Sequence, residues 1–462
     1  MIYQQKQIPR SVFRAYDIRG IVGKDLDEDS FYSIGLAIAC YLQKLNRQQI
    51  FVARDGRLTS FALTKALKKG LLDSGIDVFD LGAVATPVMY YATHTQGLDS
   101  GLMITGSHNP ADYNGIKLVL AGKTLTQEGI DILYGLLNED RQVAPCGKEK
   151  TVDVIDHYIQ RIVSDVTLKR PLKVVIDCGN GIAGPIIPKV ISELGCEVIP
   201  LYCDVDGRFP NHHPDPSIEE NLVDLQAAVA RHNADIGLAF DGDADRLGLV
   251  TNKGEIIWPD RLMMFYSREI LSRNPGATIV FDVKCSSHLE KEIQAAGGVA
   301  KMCPTGHSIV KAIMKQEQAV LAGEMSGHLF FKDRWYGFDD ALYSACRLLE
   351  IISASHLTVS EQFELIPNSV NTPEIKIAIT DEEKFHFIKR FSELAHFPQA
   401  RILNIDGLRV EFSNGWGLLR ASNTTPCLVA RFEATDKDNL ELIQDLFKKQ
   451  IRLLNSELDL PF

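Results

Sequence analysis

The sequence predicts a multidomain α/β protein with a smaller α+β domain at its C-terminus, and three observations carry that expectation. At 462 residues the chain exceeds what one ordinary hydrophobic core serves and suggests about three domains, give or take one. Short apolar runs alternate with helical stretches as far as about residue 367, the order from which βα sheets are built. Beyond Ile366-Pro367-Asn368 the pattern changes to strand-like runs with only two clear helices.

In the first segment, strand-like runs at 50–53, 77–80 and 101–105 alternate with a helical stretch at 60–72. The polar run Asn138-Glu139-Asp140-Arg141-Gln142, followed by Pro145 and Gly147, marks its edge, so the first domain is expected over 1–150. A second alternation occupies 151–254, with strands at 172–177, 198–202 and 236–240, a helix from Ile186 after a Gly-rich loop, and a helix at 222–232. The third, 255–367, repeats that order with strands at 278–282, 299–302 and 319–321 and helices from Leu289 and at 308–315. Domains two and three therefore read as copies of one topology. The fourth, 368–462, holds strands at 375–379, 402–405, 408–412 and 427–433 and is the α+β domain.

A hydrophobic content of 45% and a charged content of 24% are those of a globular protein rather than a disordered or membrane-spanning one. The opening residues lack the apolar core of a signal peptide and no apolar run is long enough to span a bilayer, so a cytoplasmic enzyme is expected. The nine cysteines are scattered, without a Cys-x-x-Cys pair, and suggest buried thiols rather than a disulfide framework or zinc site. A net charge of −11 argues against general nucleic-acid binding, and an anionic substrate would need a local basic pocket.

Ile104-Thr105-Gly106-Ser107-His108-Asn109-Pro110 follows an apolar run and ends in Asn-Pro, a turn signal. Ser107 is thus expected on an exposed loop at a strand end, approachable beside Gly106 and next to an imidazole that can take or give a proton. Alone, the heptapeptide reads equally as a polar hairpin turn. Asp241, Asp243 and Asp245 alternate directly after the apolar run 236–240, and carboxylates so close repel one another without a cation among them. An EF-hand does not fit, since it needs Gly and Glu where the chain has Arg246 and Asn252. Two other readings stand beside the metal: a solvated Asp/Gly turn, and a phosphatase in which Asp241 itself is the nucleophile.

Gly179-Asn180-Gly181-Ile182-Ala183-Gly184 has the form of a dinucleotide fingerprint, with Asp204 near the place of a ribose-binding acid. Pro185 and Pro188 crowd the helix start, so tight strand-to-helix packing is expected instead. The segment from Gly415 to Pro426 reads as one loop offering the Arg420 guanidinium, the hydroxyls of Ser422, Thr424 and Thr425, and the Asn423 amide, a set suited to phosphate. A surface turn is the alternative, and a non-catalytic sugar-phosphate-binding module would need only this segment. Glu324, Ser326 and His328 alternate, so an extended loop would aim them to one side, where they suit sugar hydroxyls. Lys284 and Thr305-Gly306-His307 add basic and donor groups nearby in sequence, and Phe13-Arg14-Ala15-Tyr16-Asp17-Ile18-Arg19-Gly20 gathers cations and an aromatic near the start.

Together, Thr105 to Pro110, Asp241-Gly242-Asp243-Ala244-Asp245-Arg246, Gly323-Glu324-Met325-Ser326-Gly327-His328 and Arg420-Ala421-Ser422-Asn423-Thr424-Thr425-Pro426, in that order, resemble the four signature loops of the α-D-phosphohexomutases. The Glu-Met-Ser form of the third resembles the bacterial phosphomannomutase/phosphoglucomutase branch. The resemblance implies four domains around a central cleft, three of related α/β topology and a C-terminal TATA-binding-protein-like α+β domain. It implies reversible transfer of phosphate between C1 and C6 of a hexose phosphate through a phosphoserine, with hexose 1,6-bisphosphate as intermediate and activator. By motif, Ser107 would be the phosphoserine and would join Asp241, Asp243 and Asp245 around one Mg2+. Glu324 and Ser326 would read the sugar, and Arg420, Ser422, Asn423 and Thr424 would hold the phosphate at the non-reacting end. Tyr16, Arg19, Lys117, Arg246, His307 and His328 would line the cleft, together with Lys284. Lys117 and His108 are the candidates for acid–base work and Arg246 for stabilising charge. Relatives acting on phosphoglucosamine carry Gln where this chain has Met325 and a Ser-Gly-Thr-Glu-Pro fourth loop, so mannose and glucose phosphates are the expected substrates. A monomer that binds neither nucleic acid nor membrane is expected.

Overall fold

The structure is a computed structural model that describes residues 8–139, 146–423 and 425–462. Most of the polar run expected to close the first domain, from Asp140 to Pro145, lies outside the described residues, as does Thr424. Among the described residues no helix is long and apolar enough to cross a membrane.

The first sheet takes β1 (Ile18–Ile21), β2 (Gln49–Arg54), β3 (Asp77–Ala83), β4 (Gly101–Ile104), β5 (Tyr113–Leu120), β6 (Lys123–Thr124) and β7 (Glu149–Thr151). Its order is β1-β5-β4-β2-β3-β7, with β6 on β5. Strands β2, β3, β4 and β7 run parallel, and β5 lies antiparallel to β4. The helices follow from local sequence. Helix Glu28–Lys44 begins where the Asp27 carboxylate accepts from Ser30 N at 2.9 Å, with Glu28 and Asp29 in its first turn. Its buried Phe31, Ile34, Ile38 and Leu42 recur at helical spacing and share the domain core with Leu63, Leu67 and Leu71 of helix Ser60–Asp73.

The second sheet holds β8 (Lys173–Asp177), β9 (Glu197–Leu201), β10 (Ile236–Phe240), β11 (Leu247–Thr251) and β12 (Ile256–Ile257) in the order β12-β11-β10-β8-β9. In the third, β13 (Thr278–Asp282) lies between β14 (Val299–Cys303) and β15 (Leu321–Gly323), all parallel; β16 (Leu329–Phe331) follows in the chain. One plan thus recurs three times: β3-β2-β4, β9-β8-β10 and β14-β13-β15 each put the first strand in the middle, the second on one side and the third on the other. Domains two and three repeat one topology as the sequence suggests, and domain one shares it.

The C-terminal domain is separate in kind. Its sheet is antiparallel throughout: β17 (Val370–Asn371), β18 (Ile375–Ala378), β19 (Arg401–Leu403), β20 (Leu408–Phe412), β21 (Gly415–Ala421) and β22 (Cys427–Ala434) form β17-β22-β21-β20-β19 with β18 also on β22. Helices Asp381–Leu394 and Lys437–Leu454 contribute Phe387, Phe391, Ile443 and Phe447 to its core. The strand β21 corrects an expectation. The sequence predicts a loop from Gly415, yet the apolar Trp416, Leu418 and Leu419 are buried in the middle of the sheet, and β21 runs to Ala421 before β22 begins at Cys427.

By compactness the chain forms two units that do not follow sequence order. The first runs as far as Pro259 and takes in Ser326–Glu364; the second comprises Asp260–Met325 and Leu365–Phe462.

Candidate active site

In the first unit the serine loop leaves the C-terminal end of β4. Ser107 has φ 50°, a left-handed conformation that costs a non-glycine residue about 1–2 kcal/mol. The surroundings hold it there. The Arg57 guanidinium donates to the carbonyls of Ser107 at 2.8 Å, Asn109 at 2.6 Å, Pro110 at 2.5 Å and Tyr113 at 3.1 Å. Arg57 is in turn paired with Asp55 at 3.2 Å, and Asp55 also accepts from Gly106 N at 3.3 Å. Ser107 is 2% exposed, so the expectation of an exposed loop is corrected. Its Oγ is 3.1 Å from Asp241 Oδ2, to which it donates, and 3.2 Å from His108 Nδ1.

The three aspartates follow β10 in a turn that also uses a left-handed non-glycine residue, Ala244 at φ 60°. A Cβ on Gly242 would stand 2.5 Å from the Ser107 carbonyl oxygen, so only glycine lets the two loops approach this closely. Asp241 Oδ1 accepts from the backbone N–H groups of Asp245 and Arg246 at 3.0 and 3.1 Å. One oxygen from each of Asp241, Asp243 and Asp245 lies within 4.8 Å of the others. All three are buried, and Asp243 Oδ1 has no hydrogen-bond partner among the described residues. Burial first, then the charges of Asp245 and Asp243, push the Asp241 carboxyl well above its usual range. Hard oxygen donors, crowded charge and an unused buried oxygen suit a divalent cation.

Lys117 on β5 donates to Asp243 Oδ2 at 2.6 Å and pairs with Asp245 Oδ2. Burial opposes its charge, but the carboxylates of Asp243 and Asp245 outweigh it and push its pKa up, so it enters the site as an ammonium. His108 goes the other way. Burial, then the positive charges of Arg246 and Arg19, hold it well below the usual imidazole value, so it is neutral at neutral pH. His328 Nε2 lies 3.2 Å from Asp245 Oδ1 and its Nδ1 3.0 Å from Ser326 Oγ, while Arg246 Nε is 3.4 Å from His328 Nε2. Arg19 reaches the serine loop through Asn109 at 2.7 Å; Tyr16 sits half-buried on the connection before β1. The start of helix Thr86–Thr95 clasps the aspartate loop, Thr86 N and Oγ1 donating to the Asp243 carbonyl and carboxylate at 3.0 and 2.5 Å.

The second unit gathers another set around Thr305 and Gly306. Glu324 accepts from Gly306 N at 2.6 Å, immediately before His307 opens helix His307–Gln316. Asp406 accepts from Thr305 N at 3.1 Å and from Arg420 Nε at 2.8 Å. Asp282 accepts from Thr305 Oγ1 at 3.0 Å and Met325 N at 3.2 Å, and lies 3.6 Å from Lys284 Nζ. Lys284 also pairs with Glu374 at 2.5 Å. In the final connection Ser422 Oγ and Thr425 Oγ1 are 2.7 Å apart, and Asn423 is half-buried beside them in sequence. Glu324, Ser326 and His328 do not form the extended, one-sided row expected. Residues 325–327 make a turn with Gly327 at φ 99°, and Glu324 takes Gly306 N while Ser326 and His328 bond each other.

Arg57, Thr86, Asp282, Glu374 and Asp406 escaped the sequence reading. Asp406-Gly407 carried a turn signal, but nothing local marks Arg57, whose carbonyl partners lie about fifty positions away. In the Gly-rich stretch after β8 a Cβ on Gly184 would overlap the Cys203 carbonyl, a close strand-to-loop packing, and the helix that follows is only Ile187–Glu193.

The chain matches family models described as phosphoglucomutase/phosphomannomutase α/β/α domain I over residues 10–144, domain II over 155–254, domain III over 258–369 and the C-terminal domain over 374–450. A phosphomannomutase/phosphoglucomutase of Pseudomonas putida is 52% identical, with 98% of each chain covered. A phosphoglucomutase of Neisseria meningitidis serogroup A is 50% identical over 96% of this chain and 97% of its own. The crystal structure of a phosphoglucomutase/phosphomannomutase family protein from Burkholderia thailandensis matches with a TM-score of 0.93 at 47% identity, covering 99% of this chain and 100% of that one.

Proposed function

Because the chain belongs to the phosphoglucomutase/phosphomannomutase family, whose members are hexose phosphate mutases, we propose that it moves phosphate between C1 and C6 of mannose and glucose phosphates through phosphorylated Ser107. The observation that carries this reading is Ser107 Oγ at 3.1 Å from Asp241 within a buried three-carboxylate cluster. A Mg2+ held by Asp241, Asp243, Asp245 and an oxygen on Ser107 supplies, when bound, positive charge against the phosphoryl oxygens.

The protein's own groups do the rest. A sugar hydroxyl that attacks phosphoserine must shed a proton while the departing serine oxygen gains one, and the two exchange roles when the step reverses. Neutral His108, beside Ser107 Oγ, is placed to accept, and the Lys117 ammonium to donate or to balance charge, with Arg246 offsetting charge on the transferred group. By the family's motifs, Arg420, Ser422, Asn423 and Thr424 would hold the phosphate that is not reacting, with Lys284 and His307 as further cationic or donor groups. Glu324 and Ser326 read the C3 and C4 hydroxyls, which exchange places when the 1,6-bisphosphate turns end for end; Tyr16, Arg19 and His328 complete the contacts. These hydroxyls are alike in glucose and mannose, so inversion at C2 costs little.

Peptide mass analysis of the active protein should find phosphate on Ser107, and Ser107→Ala should lose turnover by ~10^3-fold or more, the scale seen when a nucleophile is removed. Phosphate on Asp241, or a Ser107→Ala variant of full activity, would sink the phosphoserine route. Glucose 1-phosphate and mannose 1-phosphate should turn over comparably, each stimulated by a trace of hexose 1,6-bisphosphate. A preference of about a hundredfold for one of them, near 3 kcal/mol in transition-state binding, would overturn dual specificity alone.

A further inference from the structure

We propose that Cys178 and Cys203 form a redox-sensitive dithiol whose disulfide restrains the aspartate loop and lowers turnover. Cys178 directly follows β8 and Cys203 follows β9, parallel neighbours in which Asp177 faces Leu201, and the two Sγ atoms lie 3.6 Å apart. Cys178 is buried and Cys203 half-buried, so an oxidant reaches the second thiol first. The Cys178 S–H beside it also holds the Cys203 thiol below its ordinary range, which favours Cys203 as the attacking thiolate.

A peroxide suffices as oxidant. The Cys203 thiolate attacks one peroxide oxygen, an S–O bond forms as the O–O bond breaks, and hydroxide leaves to become water with the proton Cys203 shed. The Cys178 sulfur then attacks the sulfenic sulfur, the S–S bond forms as the S–O bond breaks, and a second water departs with the Cys178 proton. A dithiol reverses the link by exchange.

The link would be felt at the catalytic loops because little slack separates them. An S–S bond of about 2.05 Å brings in two sulfurs that lie 3.6 Å apart and so pulls on the turns that carry them. The turn after Cys178 is already tied to the other strand end by Asn180 N on the Tyr202 carbonyl and Asn180 Nδ2 on the Asp204 carbonyl, both at 2.8 Å. On its other side Ile182 N donates to the Gly242 carbonyl at 3.1 Å, and Gly242 is the residue with no room for a Cβ against Ser107. A pull on the Cys178 turn therefore reaches the aspartates and the serine through one backbone hydrogen bond.

The effect on turnover rests on the mutase reading; the sulfur chemistry does not. The test treats the reduced full chain with hydrogen peroxide, alkylates it, and measures both disulfide-linked peptides and glucose 1-phosphate turnover. Expected are a Cys178–Cys203 linked peptide, a severalfold fall in turnover that a dithiol reverses, and Cys203→Ser and Cys203→Ala variants that keep the untreated rate and resist the fall. Absence of the linked peptide while the exposed Cys146 is oxidised overturns the proposal. So does a link that leaves turnover unchanged, or an equal loss in the Cys203 variants. Untreated protein without mutase activity would refute the mutase reading and with it the claim on turnover, while the peptides still decide whether the dithiol closes.

Discussion

At the residue scale, the strain at Ser107 and its restraint by Arg57 belong together. A left-handed serine is kept because four carbonyls of its loop are held by one planar guanidinium, a geometry that an ammonium cannot copy. Arg57→Lys should therefore lower kcat by about 10^2-fold through misplacement of the serine, while KM changes far less; steady-state kinetics beside a thermal melt would separate this from simple unfolding. A second residue-scale prediction concerns pH. His212 Nε2 lies 2.9 Å from Asp177 Oδ2, and although burial opposes the charge, the hydrogen bond and charge of Asp177 raise the imidazole above its ordinary value of 6.5. The sign follows: this pair's stabilisation is full below the unfolded value and is lost as pH rises through the higher folded value. His212→Gln should flatten the fall in melting temperature just above pH 6.5, an effect of up to about 1 kcal/mol. The clustered Ser107, Asp241, Asp243 and Asp245 were legible in the sequence because each of the two motifs is contiguous in the chain. Arg57 and Thr86 were not, since each acts on backbone or carboxylate groups distant in sequence and no periodicity announces them.

At the scale of elements, three of the chemistry-bearing loops occupy one topological place. Ser107 follows β4, Asp241 follows β10 and Glu324 follows β15, in each case the third strand of the repeated plan. Loops at the carboxyl ends of parallel strands are where ligands bind in such sheets. Two of the domains also share a brace, an aspartate at the carboxyl end of the first strand that accepts from the loop after the third: Asp55 from Gly106 N and Asp282 from Met325 N. The central contact between loops is Gly242 against Ser107, and it gives the next prediction. Gly242→Ala should force the aspartate loop away from the serine at a cost of about 1–3 kcal/mol, read as weaker Mg2+ activation in a metal titration as well as a lower melting temperature. Alternation of apolar runs with helical stretches made most strands visible beforehand. It failed at β21, where two glycines and a polar tail disguised a central strand, and at residues 324–328, where Ser326-Gly327 turns a segment that alternates on paper.

At the scale of the molecule, the sequence disclosed three alternating domains and a different fourth, but not that compactness regroups them, because contiguity along a chain says nothing of which segments pack together. Metal dependence is tested on the whole protein: dialysis against a chelator should abolish turnover and Mg2+ should restore it, whereas binding of hexose phosphate without any turnover under either condition would contradict the mutase reading. The regrouping itself bears on how the chain is made. Trp335 stacks on Tyr343 at 4.1 Å and packs near Tyr91, and Tyr158 donates to Asp340 at 2.9 Å, so the last segment of the first unit fills a place prepared by residues translated long before it. A ribosome that has reached Met325 carries two unfinished bodies, with Tyr91 and Tyr158 still waiting for their partners. Newly made chains halted there should be protease-sensitive and bound by chaperones, and those halted beyond Glu364, once clear of the exit tunnel, should acquire a resistant N-terminal body, so that synthesis itself sets the moment at which the serine and aspartate loops become rigid.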